Sequence, residues 1–440
     1  MSKSNVNIAV LGAGNIGSAV IERLLTIDNT LLNLTLKKVL VSDVSKDRNI
    51  DKSLLTDNFD EILNDKEIDV VIEVLGGIDP GKAYIKSSLS SGKSVITANK
   101  DIIADCGKEL IELAQENKTN LYFEAAVAAG IPVLKPLIES LRAEELTRVS
   151  GIINGTSNYI LTAMEEGSSY EDALREAQEL GYAEPDPTND VEGIDAQYKA
   201  IILSMICFGA TPTSEEVFTK GISEITKEDF AWAKRLDKTI KLVAVVENEG
   251  GFNARVTPVL LDIKHPLASI RGALNAVVVE GESINQLVFS GPGAGAAPTA
   301  SAIIGDVLSV CHQINNELSN WYPLRENQHG EKAFEKVLSS WFLRLSVADE
   351  PGVLAEIAGT LGENSVSIES VIQEGRGDEA ELVLITHEAP EKALKTSLVQ
   401  LTALSSVSNI TSPVPFGSNS ILPFEVDTIL FPLTSKSPPS

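Results

Sequence analysis

A single lysine and a run of carboxylates fall together between Ala177 and Lys199, AQELGYAEPDPTNDVEGIDAQYK. Glu179, Glu184, Asp186, Asp190 and Glu192 precede a sixth acid, Asp195, which stands four residues before Lys199. Helical spacing of four puts Asp195 and Lys199 on one face. An apolar run over 200–207 follows at once, so that face is expected to enter a buried helix. A lysine drawn toward a core beside a carboxylate can be tuned for acid/base work. A plain ion pair on a helix surface has the same spacing. Pro185 and Pro187 stiffen the acidic loop ahead of the helix, an arrangement suited to holding acids in place.

A second group of residues points to a nucleotide. Gly12-Ala13-Gly14-Asn15-Ile16-Gly17 follows an apolar strand over 7–11 and precedes helical apolar spacing over 18–25. In that context Gly12 permits a tight turn, Gly14 lets a pyrophosphate approach the backbone, and Gly17 allows close helix packing. The amides of Asn15 and Ile16, at the helix N-terminus, face the phosphates. Asp43, after a strand expected over 38–42, can accept from a ribose diol and favour NAD. Ser42, Lys46 and Arg48 can instead tolerate a 2′-phosphate and NADP. Strands are expected over 69–74, 94–97 and 121–124, with a turn region over 87–92 and a helix over 102–116. Leu75-Gly76-Gly77 and Thr97-Ala98-Asn99-Lys100 would then open onto one crevice, where Lys100 can anchor a carboxylate. A second glycine cluster, SGPGAGAAPTA with Gly295, precedes a helix over 300–310 and is expected to return to the first domain and close the nucleotide crevice. Glu124 heads a run of tiny residues, EAAVAAGIP. Close packing between domains is the reading its residues favour, and carbonyl ligation of a hard cation is the other.

These groups need a scaffold of two or three domains, as 440 residues imply. The 62 acidic residues against 36 basic give a formal charge of −26, which argues against nucleic acid or an anionic membrane as partner. Cys106, Cys207 and Cys311 lie far apart, with no zinc or disulfide spacing. MSKSNVNIAVLG runs into a strand without a signal peptide's hydrophobic core, and no apolar run reaches membrane-spanning length, so a cytoplasmic protein is expected. The fold class expected is α/β. A Rossmann domain over 1–148, completed by about 290–315, is followed by an α+β catalytic and dimerisation domain over 149–289. The latter is expected to be a mixed sheet with helices on one face, loop-rich over 271–281 and 289–295. A linker over 316–340 leads to a β-α-β-β-α-β unit over 341–410, a ferredoxin-like order. The tail over 411–440 fits neither half.

The pattern Ala177-x3-Gly181…Asp186-Pro187-x2-Asp190-Val191-x-Gly193-x-Asp195-x3-Lys199 resembles the homoserine dehydrogenases at every fixed position. GAGNIG, TANK, EAAVAAGIP, NGTSNYI and GPGAGAAPTA fall in that family's order, and the DEPGVL segment resembles an ACT domain, an amino-acid-binding regulatory module. The resemblance implies NAD(P)H-dependent reduction of L-aspartate 4-semialdehyde to L-homoserine, in threonine, methionine and isoleucine biosynthesis. It implies Lys199 as proton donor, with Glu184, Asp190 and Asp195 orienting the substrate and adjusting Lys199, and Lys100 on the α-carboxylate. Gly181 and Glu184 would lie near the nicotinamide. Glu124, with the carbonyls of Val127, Ala129 and Ile131, would form a structural sodium site. Gly352 and Asn364 would face an allosteric amino acid, threonine by implication, in a homodimer or homotetramer. Ala126 and Ala129 depart from the family's usual Ser/Thr and Gly, and Ser42 stands where NADP-preferring members often carry arginine. Two other readings are a nucleotide- and amino-acid-sensing protein without catalysis and an aspartate-semialdehyde dehydrogenase. The first has no need of a proton donor; the second needs a nucleophilic cysteine.

Overall fold

The computed structural model describes residues 5–27, 33–248, 251–315, 324–325, 330, 332–375, 380–411 and 413–416. Six parallel strands begin the chain: β1 (Val6–Leu11), β2 (Leu34–Leu40), β3 (Leu55–Thr56), β4 (Val70–Glu73), β5 (Ser94–Thr97) and β6 (Leu121–Tyr122). Their order, β3-β2-β1-β4-β5-β6, is doubly wound and reverses beside β1, the position where such sheets bind ligands. Leu11 pairs with Glu73 and Glu73 with Thr97, so the loops after β1, β4 and β5 leave the sheet in one row. The helices of this half are α1 (Asn15–Thr26), α2 (Phe59–Leu63), α3 (Gly81–Ser90) and α4 (Lys100–Glu116). The serine-rich stretch expected to turn over 87–92 is mostly the end of α3. Ser88 is small enough to be fully buried there, and the turn is confined to Ser91-Gly92. The strand expected over 38–42 begins and ends earlier, which leaves Asp43 in the turn beyond it.

The second sheet contains β7 (Leu146–Ile152), β8 (Phe218–Thr219), β9 (Lys238–Glu247), β10 (Asn253–Asp262), β11 (Leu274–Gly281) and β12 (Asn285–Pro292) in the order β12-β11-β7-β9-β10-β8. It is antiparallel except for β8 beside β10. The stretch expected to be loop-rich is a regular hairpin, with Leu274 opposite Pro292 and Gly281 opposite Asn285. β12 is an edge strand with half its side chains in solvent, so its apolar alternation is weak. The helices are α5 (Gly155–Glu165), α6 (Tyr170–Glu179), α7 (Thr188–Val191), α8 (Ile194–Phe208) and α9 (Lys227–Arg235). Ile240, Leu242, Ala244 and Val246 of β9 join the core beneath α5 and α8, while Val243 and Val245 join a separate cluster with Val259, Leu261 and Leu267. Burial on both faces explains the apolar run over 242–246 of β9. α10 (Ala296–Asn315) then returns to the first sheet, packing Ile303 and Val307 with Val20 and Ile21 of α1.

The last sheet is antiparallel, β14 (Trp341–Val347), β15 (Ile368–Glu374), β16 (Ala380–Thr386) and β18 (Val407–Ile410), with α11 (Val353–Glu363) and α12 (Glu391–Thr402). A two-strand ribbon of β13 (Leu338–Ser339) and β17 (Ala389–Pro390) flanks it. The first residues of the expected tail are structural: β19 (Val414–Pro415) pairs with β14, and Phe416 bridges to Leu260 of β10. The tail beyond 416, and 316–323, 326–329 and 331 of the expected linker, lie outside the described residues. Arg325 of that linker donates to the carbonyls of Leu141, Arg142 and Glu144. Among the described residues no helix is long and apolar enough to cross a membrane.

Candidate active site

α8 begins at Gly193, whose φ of +79° turns the chain out of α7, and one helical turn then carries Asp195 and Lys199 inward. Both are 9% exposed. Lys199 Nζ donates to Asp195 Oδ2 at 2.6 Å and to the carbonyl of Ile153 at 2.7 Å. The pair is therefore buried at the head of the helix, unlike a solvated surface ion pair. Lys100, the first residue of α4, brings its ammonium to 3.3 Å from Asp195 Oδ1, joining the two halves of the molecule across the crevice.

Asn154 ties the acids together, a role the sequence reading missed. Its Oδ1 caps α5 by accepting from Ser157 N at 2.8 Å, and its Nδ2 donates to Asp190 Oδ1 at 2.7 Å and Asp195 Oδ2 at 2.9 Å. The signal was the Asn at the head of NGTSNYI, an N-cap residue type with a second polar group to spare. Burial pushes the Asp195 carboxyl up, but Lys199 and Lys100 more than offset this and hold it below the usual carboxylate range. Asp190 goes the other way: burial raises it, the Asn154 bond opposes that, and the charge of Asp195 adds to the rise. Burial pulls Lys100 down, yet Asp195 and Asp101 leave it above the ordinary lysine value. One acid stays ionised while its neighbour takes up protons more readily.

These residues line one cavity of about 990 Å³, together with Glu184, Gly181 and the Gly293–Gly295 loop. Glu184 is exposed in it, whereas Asp186 folds back to accept from Thr188 N and Oγ1 at the start of α7.

The glycine turn after β1 has the form its motif requires. Gly12 sits at φ +107°, and a Cβ on Gly17 would fall 2.2 Å from the Gly12 carbonyl, so only glycine lets helix and strand approach. A Cβ on Gly14 would meet nothing within 4 Å, which leaves room over the exposed Asn15 and the half-buried Ile16. The neighbouring loops are held by a second missed residue, Glu73, buried at the end of β4. It accepts from Thr97 Oγ1 at 2.5 Å and Leu75 N at 2.8 Å, and burial raises its carboxyl. The hydroxyl of Thr97 is thereby turned inward. Asn99 caps α4 and fastens Gly77, and this places Lys100. Asp43 is exposed; its Oδ1 accepts from Ser45 N and Oγ, and Arg48 donates to the Asp43 carbonyl.

Glu124 is buried, and its carboxylate accepts from the amides of Val133, Leu134 and Lys135 at 2.6–2.8 Å. Three of about four acceptor positions are thus used inside the protein. Ala128 and Ala129 follow at positive φ, +54° and +32°. The carbonyls of Val127, Ala129 and Ile131 accept no hydrogen bond among the described residues. Among the described residues, no cluster of three or more His, Cys, Asp or Glu side chains is placed to hold a metal. All three cysteines are buried; burial pushes the Cys106 thiol up, and Cys207 and Cys311 up to about 12, which suits no nucleophile. In the last domain Gly352 turns the chain into α11 at φ +99°. Asn364 Nδ2 donates to Thr360 O and Gln400 Oε1, an internal brace between α11 and α12.

A family model described as Homoserine dehydrogenase matches residues 132–308, one described as Homoserine dehydrogenase, NAD binding domain, matches 12–124, and one described as ACT domain matches 341–403. Homoserine dehydrogenase from Bacillus subtilis is 39% identical over 420 residues, 92% of this chain and 97% of that one. The chain belongs to the homoserine dehydrogenase family. It is an NAD(P)-dependent oxidoreductase of that family with a C-terminal ACT domain. Two solved structures agree. Homoserine dehydrogenase from Thiobacillus denitrificans superposes with a TM-score of 0.88 at 34% identity, covering 94% of this chain and 98% of its own. A hyperthermophilic archaeal homoserine dehydrogenase in complex with NADPH has a TM-score of 0.61 at 30% identity and covers 70% of this chain and 98% of its own.

Proposed function

We propose that Lys199 is the proton donor for reversible reduction of L-aspartate 4-semialdehyde to L-homoserine. The observation that carries this is its 2.6 Å contact with Asp195, buried at the wall of the cavity that Lys100, Glu184 and Asp190 also line. Aldehyde reduction develops alkoxide charge, and a fixed ammonium both stabilises that charge and delivers the proton. Asp195 holds Lys199 in line, with Asn154 keeping Asp195 in place. Glu184 and Asp190 face the substrate's ammonium, and Lys100 faces its α-carboxylate. The open approach over Gly14 and the span of the cavity from Gly181 to Gly295 fit a dinucleotide, held by the amides of Asn15 and Ile16 and by the backbone at Thr97. Bound there, the reduced cofactor supplies the hydride.

The exposed Asp43 carboxylate suits the ribose diol of NAD, while Lys46 and Arg48 suit the phosphate of NADP, which the archaeal relative binds as NADPH. Both cofactors are therefore expected to serve. The three unpartnered carbonyls after Glu124 fit a structural sodium ion, a hard cation that takes such oxygens. The ACT domain binds threonine, an end product of one of the routes that homoserine feeds, and the chain works in the cytoplasm as a homodimer or homotetramer. Absorbance loss from NADH and NADPH with aspartate semialdehyde, with and without threonine and sodium, tests these assignments. Turnover with both cofactors, slowed by millimolar threonine and dependent on sodium, is expected. No turnover with either would refute the reading, and a rate indifferent to threonine would remove the regulatory part.

A further inference from the structure

The two walls of the cavity nearest Gly295 differ in how firmly they are held. The wall of residues 270–274 is pinned. Asn158 Nδ2 donates to the carbonyls of Ile270, Gly272 and Leu274 at 3.3, 2.9 and 3.1 Å. Buried Lys241 donates to Ile270 O at 2.8 Å and to Asn158 Oδ1 at 3.2 Å, and Gly272 N reaches Thr162 Oγ1 at 3.1 Å. The facing wall, Pro292–Gly295, leaves β12 with glycine at two of its four positions, and Gly295 stands at φ +110°.

Asn275 lies beneath that second wall. It follows Leu274 on β11, opposite Gly291, and its side chain is 0% exposed. Among the described residues neither its Nδ2 nor its Oδ1 has a hydrogen-bond partner. Gly293 rests directly on the amide: a Cβ there would fall 1.8 Å from Asn275 Nδ2, and one on Gly155, at the head of α5, 3.5 Å from Oδ1. A buried donor and acceptor that both lack partners cost free energy, and an apolar group of the same shape would remove that cost. An amide retained at such a position has its partners in another arrangement of its neighbours. The pinned wall cannot provide that arrangement; the glycine wall can, because its backbone N–H and C=O groups turn freely about Gly293 and Gly295.

We propose that Asn275 is a positioning residue for the nicotinamide dinucleotide, its amide completed by the backbone of residues 293–295 when that loop settles on the bound cofactor. The proposal rests on the reading that the cofactor lies against Gly295. Hydrogen bonds gained only in the bound form add to cofactor affinity, so the unmet amide of the free chain becomes selectivity for the closed loop.

The near-isosteric Asn275→Leu tests this in the full chain, with thermal unfolding measured without nucleotide and NADPH and NADH titrated by their fluorescence. The free variant is expected to unfold at the wild-type temperature or above, with dissociation constants for both nucleotides raised fivefold or more. A lower unfolding temperature would make the amide an ordinary structural partner, and a rise of less than fivefold would detach it from the cofactor; either overturns the proposal. Ala294→Trp, on the exposed face of the same loop, separates the two levels of the argument. Unchanged nucleotide affinity in that variant would mean that the cofactor does not lie against this loop at all, whatever Asn275 does.

Discussion

Asp195 has two ammonium neighbours, Lys199 at 2.6 Å and Lys100 at 3.3 Å, and each engages a different carboxylate oxygen. In the proposed role, that division would let a substrate carboxylate draw on Lys100 without disturbing the hold on Lys199. The Asp195–Lys199 spacing was legible because helical geometry is local and periodic. Lys100 and Asn154 were not legible as neighbours of Asp195, since tertiary folding brings them from 95 and 41 positions away. Thr97 was read as facing the cofactor because of its place at a strand end, but the burial of Glu73 beside it decides which way its hydroxyl turns. A departure from the family pattern becomes energetic at Ala129, where glycine is usual and φ is +32°. A left-handed conformation costs a non-glycine residue about 1–2 kcal/mol, partly offset by the backbone entropy glycine loses, roughly 0.5–1 kcal/mol. Ala129→Gly should therefore raise the unfolding free energy by about 0.5–1 kcal/mol, measured by urea denaturation at fixed sodium. A loss of stability would show that the alanine methyl packs better than its backbone suffers.

The doubly wound half was legible at the level of elements because each of its central strands is an apolar run ended by glycine or a cap residue. The β11–β12 hairpin was not, since an edge strand half in solvent loses its alternation. β9 shows what a strand buried on both faces can also carry: Lys241, at 1% exposure, with its hydrogen bonds on Ile270 and Asn158. Burial lowers its ammonium to about 8, with Glu165 opposing and Arg271 assisting. The folded chain then binds fewer protons than the unfolded one between pH 8 and the ordinary lysine value, so this group's contribution to stability rises with pH across that window. The stability difference between wild type and Lys241→Met should climb by about 3 kcal/mol from pH 8 to above 10, from a shift worth about 1.4 kcal/mol per pH unit. Parallel pH profiles from denaturation would rule out a desolvated lysine at this position.

Over the whole molecule, the regulatory sheet is joined to the catalytic half through charge. Arg344 of β14 donates to Asp229 Oδ1 at 2.9 Å, Glu381 Oε1 at 2.8 Å and Thr226 Oγ1 at 3.0 Å, while Trp232 Nε1 reaches Glu381 Oε2 at 2.7 Å. Thr226 and Asp229 also form the capping box of α9, so the ACT sheet grips the start of a helix that packs beside α5 and β9. The ferredoxin-like order of that sheet was legible from its strand and helix runs, but this joint was not, because its partners lie more than a hundred residues apart. Arg344→Met leaves Asp229 buried without its cation and should cost about 3 kcal/mol in denaturation. Threonine should still bind that variant by calorimetry but no longer slow turnover; unaltered inhibition would place the coupling elsewhere. The proposed site itself belongs to the whole chain, since Lys100 comes from one half and Lys199 from the other. The central assignment is tested most directly by single-turnover reduction of aspartate semialdehyde in Lys199→Ala, with NADPH bound. A rate lowered by about 10³-fold, in the range of a lost general acid, with NADPH affinity within twofold of wild type, is the expected result. Reduction at the wild-type rate would contradict it.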